Sequence, residues 1–250
     1  AANGYLYAIR ASNGTVAWSY NVGNPILAPP SVHLRTNATA AFKAKYIDDL
    51  VYVATRDSTA RSANQVLAFN ALDGSAGPLW SFSGGGLGLD MVNAAAGLDF
   101  IHDKLFVSSY SGATPGTQPS FWVLDLLNNG ALLGSKLLGD IDASPTFSGT
   151  QRAYVSVPAR SGIVYSYNTS DYTERWTGGF DTGSGAGNSF SQLQRTSDGF
   201  VVTSGSAGKV WRITDGGTSA SLYPGWATNP IIGVTGVSQA LVLSPNDVFF

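Results

Sequence analysis

An all-β fold built from repeated four-stranded units is what this sequence predicts, and three observations predict it. First, five segments share one layout, a short alternating strand, a turn rich in Gly, Asn or Asp, and a second strand. They are residues 4–20 (GYLYAIRASNGTVAWSY), 64–82 (NQVLAFNALDGSAGPLWSF), 120–136 (SFWVLDLLNNGALLGSK), 162–178 (GIVYSYNTSDYTERWTG) and 208–224 (GKVWRITDGGTSASLYP). Second, every hairpin but the first follows two more strand-like stretches, so a four-stranded unit recurs about every 45–60 residues, the pattern of a β-propeller. Third, apolar residues make up 44% of the chain and aromatics 12%. Content of that kind supports a packed core rather than disorder.

The elements follow in order. The chain opens inside a unit, with its third and fourth strands (4–20). The first full unit takes 26–32 (ILAPPSV), 50–56 (LVYVATR) and the hairpin 64–82. The next takes 91–98, 104–110 and 120–136, and the third takes 141–149, 152–158 and 162–178. The fourth takes 187–193, 199–205 and 208–224. The chain ends on 231–237 and 246–250, a first and a second strand. The first strands are rich in Ala, Gly, Ser and Pro, which suits positions where several backbones crowd. The expectation is one propeller domain over 1–250 with five blades, approximately 24–82, 86–137, 140–180, 185–225, and a composite of 229–250 with 3–20. The composite blade would close the ring and leave no open sheet edge.

LYAIRASNGTVAW and VLAFNALDGSAGPLW resemble the pyrroloquinoline-quinone-type propeller repeat, also called the quinoprotein alcohol dehydrogenase-like repeat. Ala8, Asn13, Gly14 and Trp18 fit its motif of an Ala, a polar position, a Gly turn and a Trp. Ala68, Asp73, Gly74 and Trp80 fit it with a small insertion, and the other three hairpins lack the Ala, the Gly or the Trp. The resemblance implies blade architecture for most of the chain and an inter-blade role for Trp18, Trp80 and Trp176. The family's dehydrogenases are eight-bladed and hold quinone and Ca²⁺ over the axis, usually with an adjacent Cys pair. This chain has no Cys and fewer units, so the resemblance carries the fold further than that activity.

Composition excludes several function classes. Charged residues are 12% of the chain, against about a quarter in ordinary domains, and the net charge is −2. No Lys/Arg cluster offers an electrostatic footprint for nucleic acid. Without Cys there are no disulfides, thiolate metal sites or Cys nucleophiles. No apolar run approaches the roughly 18 residues of a membrane span. A surface solvated by hydroxyls and amides suits a secreted or assembly protein. The chain opens on Ala1 without a basic-then-apolar leader, which fits a removed signal or a piece of a longer chain.

Candidate site residues are few. His33 and His102 fall in different units, near the ends of first strands, and read as surface or turn positions. The glycine-rich stretches 83–90 and 181–188 lie between strands, so they read as loops rather than a nucleotide fingerprint, which needs a following helix. Asp140 and Asp142 are two apart on one strand and point the same way, and Asp90 leads into the neighbouring unit's first strand. Together they would sit at the mouth of the ring, where three carboxylates suit Ca²⁺ or glycosidic chemistry. Asn93 and Asn188 occupy comparable positions and would line the channel. Asp48 and Asp49 form a second carboxylate pair. Trp122 and Trp211 lie in third strands and read as core, whereas Trp226, in a loop, is the Trp suited to a ligand. Asn13, Asn37 and Asn168 are N-x-Ser/Thr sequons on connections that share one face. The insertion 33–47, with Arg35, Lys43 and Lys45, departs most from the repeat and reads as a contact surface.

These observations favour a non-catalytic extracellular propeller, a scaffold, adhesion or assembly module for other proteins or copies of itself. Two alternatives stand beside it: a quinoprotein-like or glycan-acting enzyme at the channel mouth, and a lectin-like carbohydrate binder using Trp226. No cofactor is required, with Ca²⁺ the candidate if one is held.

Overall fold

The computed structural model describes residues 1–114, 116–148, 151–187, 189–196, 199–204, 209–224 and 231–232. Its chain divides into two compact units, Ala1–Leu137 and Leu138–Phe250.

In the first unit β1 (Tyr5–Ile9) and β2 (Val16–Asn21) form an antiparallel hairpin. Its turn is set by Asn13, whose Oδ1 accepts from the Thr15 N–H at 3.1 Å and from the Thr15 hydroxyl at 2.8 Å. Next come β3 (Ser31–His33), β4 (Leu50–Ala54), β5 (Val66–Asn70) and β6 (Trp80–Phe82), one antiparallel sheet in chain order. A second such sheet holds β7 (Gly97–Asp99), β8 (Lys104–Ser108), β9 (Phe121–Asp125) and β10 (Ala131–Lys136). In the second unit β11 (Thr146–Phe147), β12 (Tyr154–Pro158), β13 (Ile163–Asn168) and β14 (Phe180–Asp181) repeat the meander. So do β15 (Gln194–Arg195), β16 (Gly199–Ser204), β17 (Lys209–Asp215) and β18 (Ala220–Leu222). Consecutive four-stranded meanders of this kind are the blades of a β-propeller.

The core lies between neighbouring sheets. Leu6 and Trp18 of the opening hairpin pack with Val53, Leu67 and Phe69 of the next sheet. Tyr52 and Trp80 share a cluster with Leu105, Trp122 and Leu124 of the sheet after it. In the second unit Val164 and Trp176 pack with Phe190, Trp211 and Ile213. Trp122 and Trp176 are wholly buried, and truncating such a side chain costs about 3–5 kcal/mol.

Four features differ from the sequence reading. The first strands are shorter: β3 and β11 start only after Pro29–Pro30 and Pro145, and proline has no N–H for a ladder, while β7 overlaps only the end of 91–98 and β15 lies just beyond 187–193. The fourth strand of the third sheet falls at Phe180–Asp181, beyond 162–178. Gly179 turns the chain there at φ +74°, where a Cβ would come within 2.5 Å of Ile163 Cγ2. The insertion after β3 contains a short helix, α1 (Ala40–Lys45). Thr39 caps it by accepting from the Phe42 N–H at 3.1 Å, and Phe42 is wholly buried. Finally β19 (Ile231–Ile232), expected to open the composite blade, pairs with Lys209–Val210 of β17. β18 covers only Ile213–Asp215 of β17, so the start of β17 has a free edge that β19 takes. Strand 246–250 lies outside the described residues.

Candidate functional site

In each sheet the connection from second to third strand shares one end with the segment leading into the first strand. Asp90, Asn93, Asp140 and Asp142 fall at this end. Three residues sit two positions past a second strand: Arg56, Tyr110 and Arg160. Their N–H groups donate to the carbonyls of Pro25 (2.7 Å), Met91 (2.9 Å) and Asp140 (2.8 Å). Two residues beyond those acceptors stand Leu27, Asn93 and Asp142, so Asn93 and Asp142 are structural equivalents.

In the first unit the connection 55–64 is organised by buried Asn64. Its Oδ1 accepts from the Asp57 N–H (2.5 Å) and the Thr55 hydroxyl (3.1 Å), and its amide donates to the carbonyls of Asp57 (3.0 Å) and Arg61 (2.9 Å). This places the Arg61 guanidinium on Asp90, with Nε at 2.9 Å from Oδ1 and Nη2 at 2.7 Å from Oδ2. Asp90 is wholly buried and also accepts from the N–H groups of Met91 (2.6 Å) and Gly112 (2.8 Å). Arg61 lies over the Tyr110 ring at 5.7 Å. Arg56 Nε donates to Asn93 Oδ1. The glycine-rich stretch 83–90 is a tight turn. Gly84 at φ +90° lies so close to Gly88 that a Cβ would sit 2.3 Å from its carbonyl carbon.

In the second unit Arg160 holds Asp142, with Nε at 2.6 Å from Oδ2, and Ser189 Oγ donates to the same oxygen at 2.7 Å. Asp140 and Asp142 are half-buried, and Ile141 and Ala143 between and after them are buried. That alternation puts the two carboxylates on one side of an extended segment. Asp90 and Asp142 are therefore saturated by arginine, and among the described residues no group of three His, Asp or Glu is placed to hold a metal ion. Asn188 and Trp226 lie outside the described residues.

His33 corrects the sequence reading. It is wholly buried, not at the surface, with its ring centroid 3.9 Å from that of Phe42 and neither ring nitrogen hydrogen-bonded. The insertion folds back and brings Phe42 over it. Burial lowers the His33 pKa to about 4, with the Asp49 charge pulling upward. His102 stays exposed, its Nδ1 2.8 Å from Oδ2 of buried Asp99.

The opposite sheet ends carry the third-to-fourth strand turns, and there tryptophans dock. Trp18 Nε1 donates to the Ala71 carbonyl at 3.0 Å, and its ring covers Gly74, where a Cβ would lie 2.6 Å away. Trp80 covers Gly130 in the same way at 2.5 Å. Trp176 Nε1 donates to Asp215 Oδ1 at 3.0 Å, beside Arg175 Nη2 at 3.1 Å from Oδ2. Burial pushes the Asp215 pKa up, but bonds from Tyr154, Trp176, the Gly217 N–H and Arg175 outweigh it and hold the carboxyl below its ordinary range. Burial and that bond push Tyr154 up to about 12. The insertion joins the next sheet at this end, with Lys45 Nζ donating to Leu127 O and Asn129 Oδ1, both at 2.7 Å. Of the sequons, Asn13 and Asn37 are exposed, while Asn168 is half-buried and its amide donates to Thr173 Oγ1 at 2.9 Å.

Sequence reasoning passed over Arg56, Arg61 and Arg160. The signal for two of them was present as an arginine at the same offset from the second strand in two units.

No family model matches the chain, and no curated protein matches it. Solved structures do. BamB from Moraxella catarrhalis is 17% identical, with a TM-score of 0.53 over 84% of this chain and 52% of its own. Sqt1 from Saccharomyces cerevisiae is 14% identical, with a TM-score of 0.63 over 88% and 56%. A chain of the Mitotic Checkpoint Complex is 10% identical, with a TM-score of 0.66 over 98% and 64%. At such identities the likeness establishes the fold, a β-propeller. This chain spans between half and two thirds of the length of these three. No helix among the described residues is long and apolar enough to cross a membrane.

Proposed function

We propose that this chain is a protein-interaction propeller, a non-catalytic scaffold or assembly module. The observation that carries the reading is the state of the carboxylates at the sheet ends where chemistry was expected. Asp90 is filled by Arg61 and two backbone N–H groups, and Asp142 by Arg160 and Ser189. A carboxylate held this way braces neighbouring loops and is a poor nucleophile, base or cation ligand. The likeness to a chain of a multiprotein complex supports the same reading. The finer reading is a secreted, five-bladed propeller of the quinoprotein-like repeat type, with glycans on Asn13 and Asn37. The motif residues around Trp18 and Trp80, the low charge and the exposure of both asparagines support it.

Cross-linking mass spectrometry on the protein in its natural setting tests the reading. Reproducible links from Lys43, Lys104 or Lys136 to a second protein are expected. Links within the chain alone overturn it, as does near-ultraviolet absorbance of a bound quinone.

A further inference from the structure

We propose that the concavity between the insertion and the β5–β6 turn docks a protein segment in which an aliphatic side chain neighbours a lysine or arginine. The inference rests on the protein-interaction reading and names the surface and the partner's chemistry. The concavity measures about 380 Å³ and is lined by Arg35, Ile47, Asp48, Asp49, Ala71 and Leu72. It lies at the sheet end opposite the arginine forks.

Three observations point to a partner. The first is apolar exposure. Ile47 is 82% exposed and Leu72 75%, the highest values of any large apolar side chain among the described residues. Both flank the same concavity, and a single exposed leucine is ordinary where a pair across one hollow is not. The second is rigidity. Asn70 ties the two walls together, its amide donating to Asp48 Oδ2 at 2.7 Å while its Oδ1 accepts from the Leu72 N–H at 2.8 Å. The Ala71 N–H donates to the Asp49 carbonyl at 2.9 Å, and Trp18 holds the Ala71 carbonyl from behind. A surface fixed before binding loses little conformational freedom on binding.

The third observation is charge. Asp48 and Asp49 are half-buried at the rim, and neither makes an ion pair among the described residues. Asp49 Oδ1 accepts from the Arg35 N–H at 2.7 Å, but the Arg35 guanidinium turns away to the carbonyls of Tyr46 (3.1 Å) and Lys43 (3.3 Å). The rim therefore presents two carboxylates with acceptor capacity left over. An aliphatic side chain between Ile47 and Leu72 would bury the apolar pair, and an adjacent cation would reach the carboxylates.

The test is selection of a phage-displayed random peptide library on the intact protein, followed by binding of the enriched peptides to two double variants of the hollow. Enriched peptides are expected to place Leu, Ile, Val or Met within two positions of Lys or Arg. Their affinity should fall about tenfold in Ile47→Ser/Leu72→Ser. It should fall severalfold in Asp48→Asn/Asp49→Asn, which should also bind with less salt dependence. Matching thermal melts of the variants and the wild type show that the fold is retained. Peptides without the pattern, or peptides that bind both variants as well as wild type, overturn this surface and leave the interaction reading standing. An empty selection alongside native cross-links overturns the surface alone, and an empty selection with no cross-links overturns both.

Discussion

His33 makes the stability of this fold depend on pH in a direction and amount that its surroundings set. The imidazole is wholly buried on Phe42, with neither nitrogen hydrogen-bonded. Its pKa falls from the ordinary value of about 6.5 to about 4, because burial penalises the cation more than the Asp49 charge favours it. Between those two values the unfolded chain binds a proton that the folded chain refuses. The stabilisation is therefore complete above the unfolded value, shrinks as pH falls, and levels off once the folded imidazole also protonates near pH 4. Linkage gives a loss of about 2 kcal/mol between pH 7 and pH 5, and about 3 kcal/mol by pH 4. Urea unfolding of wild type and His33→Phe at pH 7 and pH 5 isolates the effect, since the phenyl ring keeps the stack on Phe42 and cannot titrate. Wild type should lose about 2 kcal/mol more than the variant over that interval. Equal losses would refute the reasoning, because they would mean His33 carries its proton equally well folded and unfolded.

Four further perturbations have definite outcomes. Gly130→Ala places a Cβ 2.5 Å from the Trp80 ring at φ +74°, and should cost about 2–4 kcal/mol in chemical denaturation. Gly14→Ala, with open space around it, should cost about 1 kcal/mol, so a similar cost for both would remove the docking role assigned to Trp80. Arg61→Ala strands the buried Asp90 carboxylate and should cost about 3 kcal/mol, part of which Asp90→Asn should recover in the double variant. Asp215→Asn should cost about 2 kcal/mol at neutral pH. The folded Asp215 pKa is depressed, so its contribution is present above the unfolded value of about 3.9 and lost as pH falls through the folded value; wild type and variant should converge in acid. Thr39→Val removes the cap on α1 and the 2.5 Å bond to Asp103 Oδ2, and should lower the melting stability by about 1–2 kcal/mol.

The blades were legible because their signal is local. Short apolar runs such as LVYVATR and FWVLD and turn residues between them act within one hairpin, and β4, β5, β8 and β9 fall inside the expected stretches. What was not legible depends on contacts distant in sequence. The insertion reads as a loop because its helix is six residues long, and the Phe42 that holds it is buried by His33, Tyr46 and the core cluster of the first unit. His33 itself ends a strand and looks exposed until the insertion closes over it. Asp90 and Asp142 looked like free carboxylates at loop ends because the arginines that fill them lie 29 and 18 residues away.

The two kinds of long-range contact solve one physical problem. A meander of short strands buries its faces between neighbouring sheets, but its turns and leads remain exposed and free to splay. Here the sheets are fastened at both ends. At one end Arg61 and Arg160 grip carboxylates on the segments that lead into first strands. At the other, Trp18, Trp80 and Trp176 dock on the turn of a neighbouring sheet. Arginine holds the buried Asp90 carboxylate, whereas buried Asp99 meets His102 and buried Asp103 accepts from the Thr39 hydroxyl. Asp48 and Asp49, an acidic pair without an ion-pair partner among the described residues, stand beside the two most exposed large aliphatic side chains of the described structure. The proposed hollow joins rigid walls, two carboxylates and two exposed aliphatic side chains, which is why Ile47, Leu72, Asp48 and Asp49 are the positions at which to challenge it.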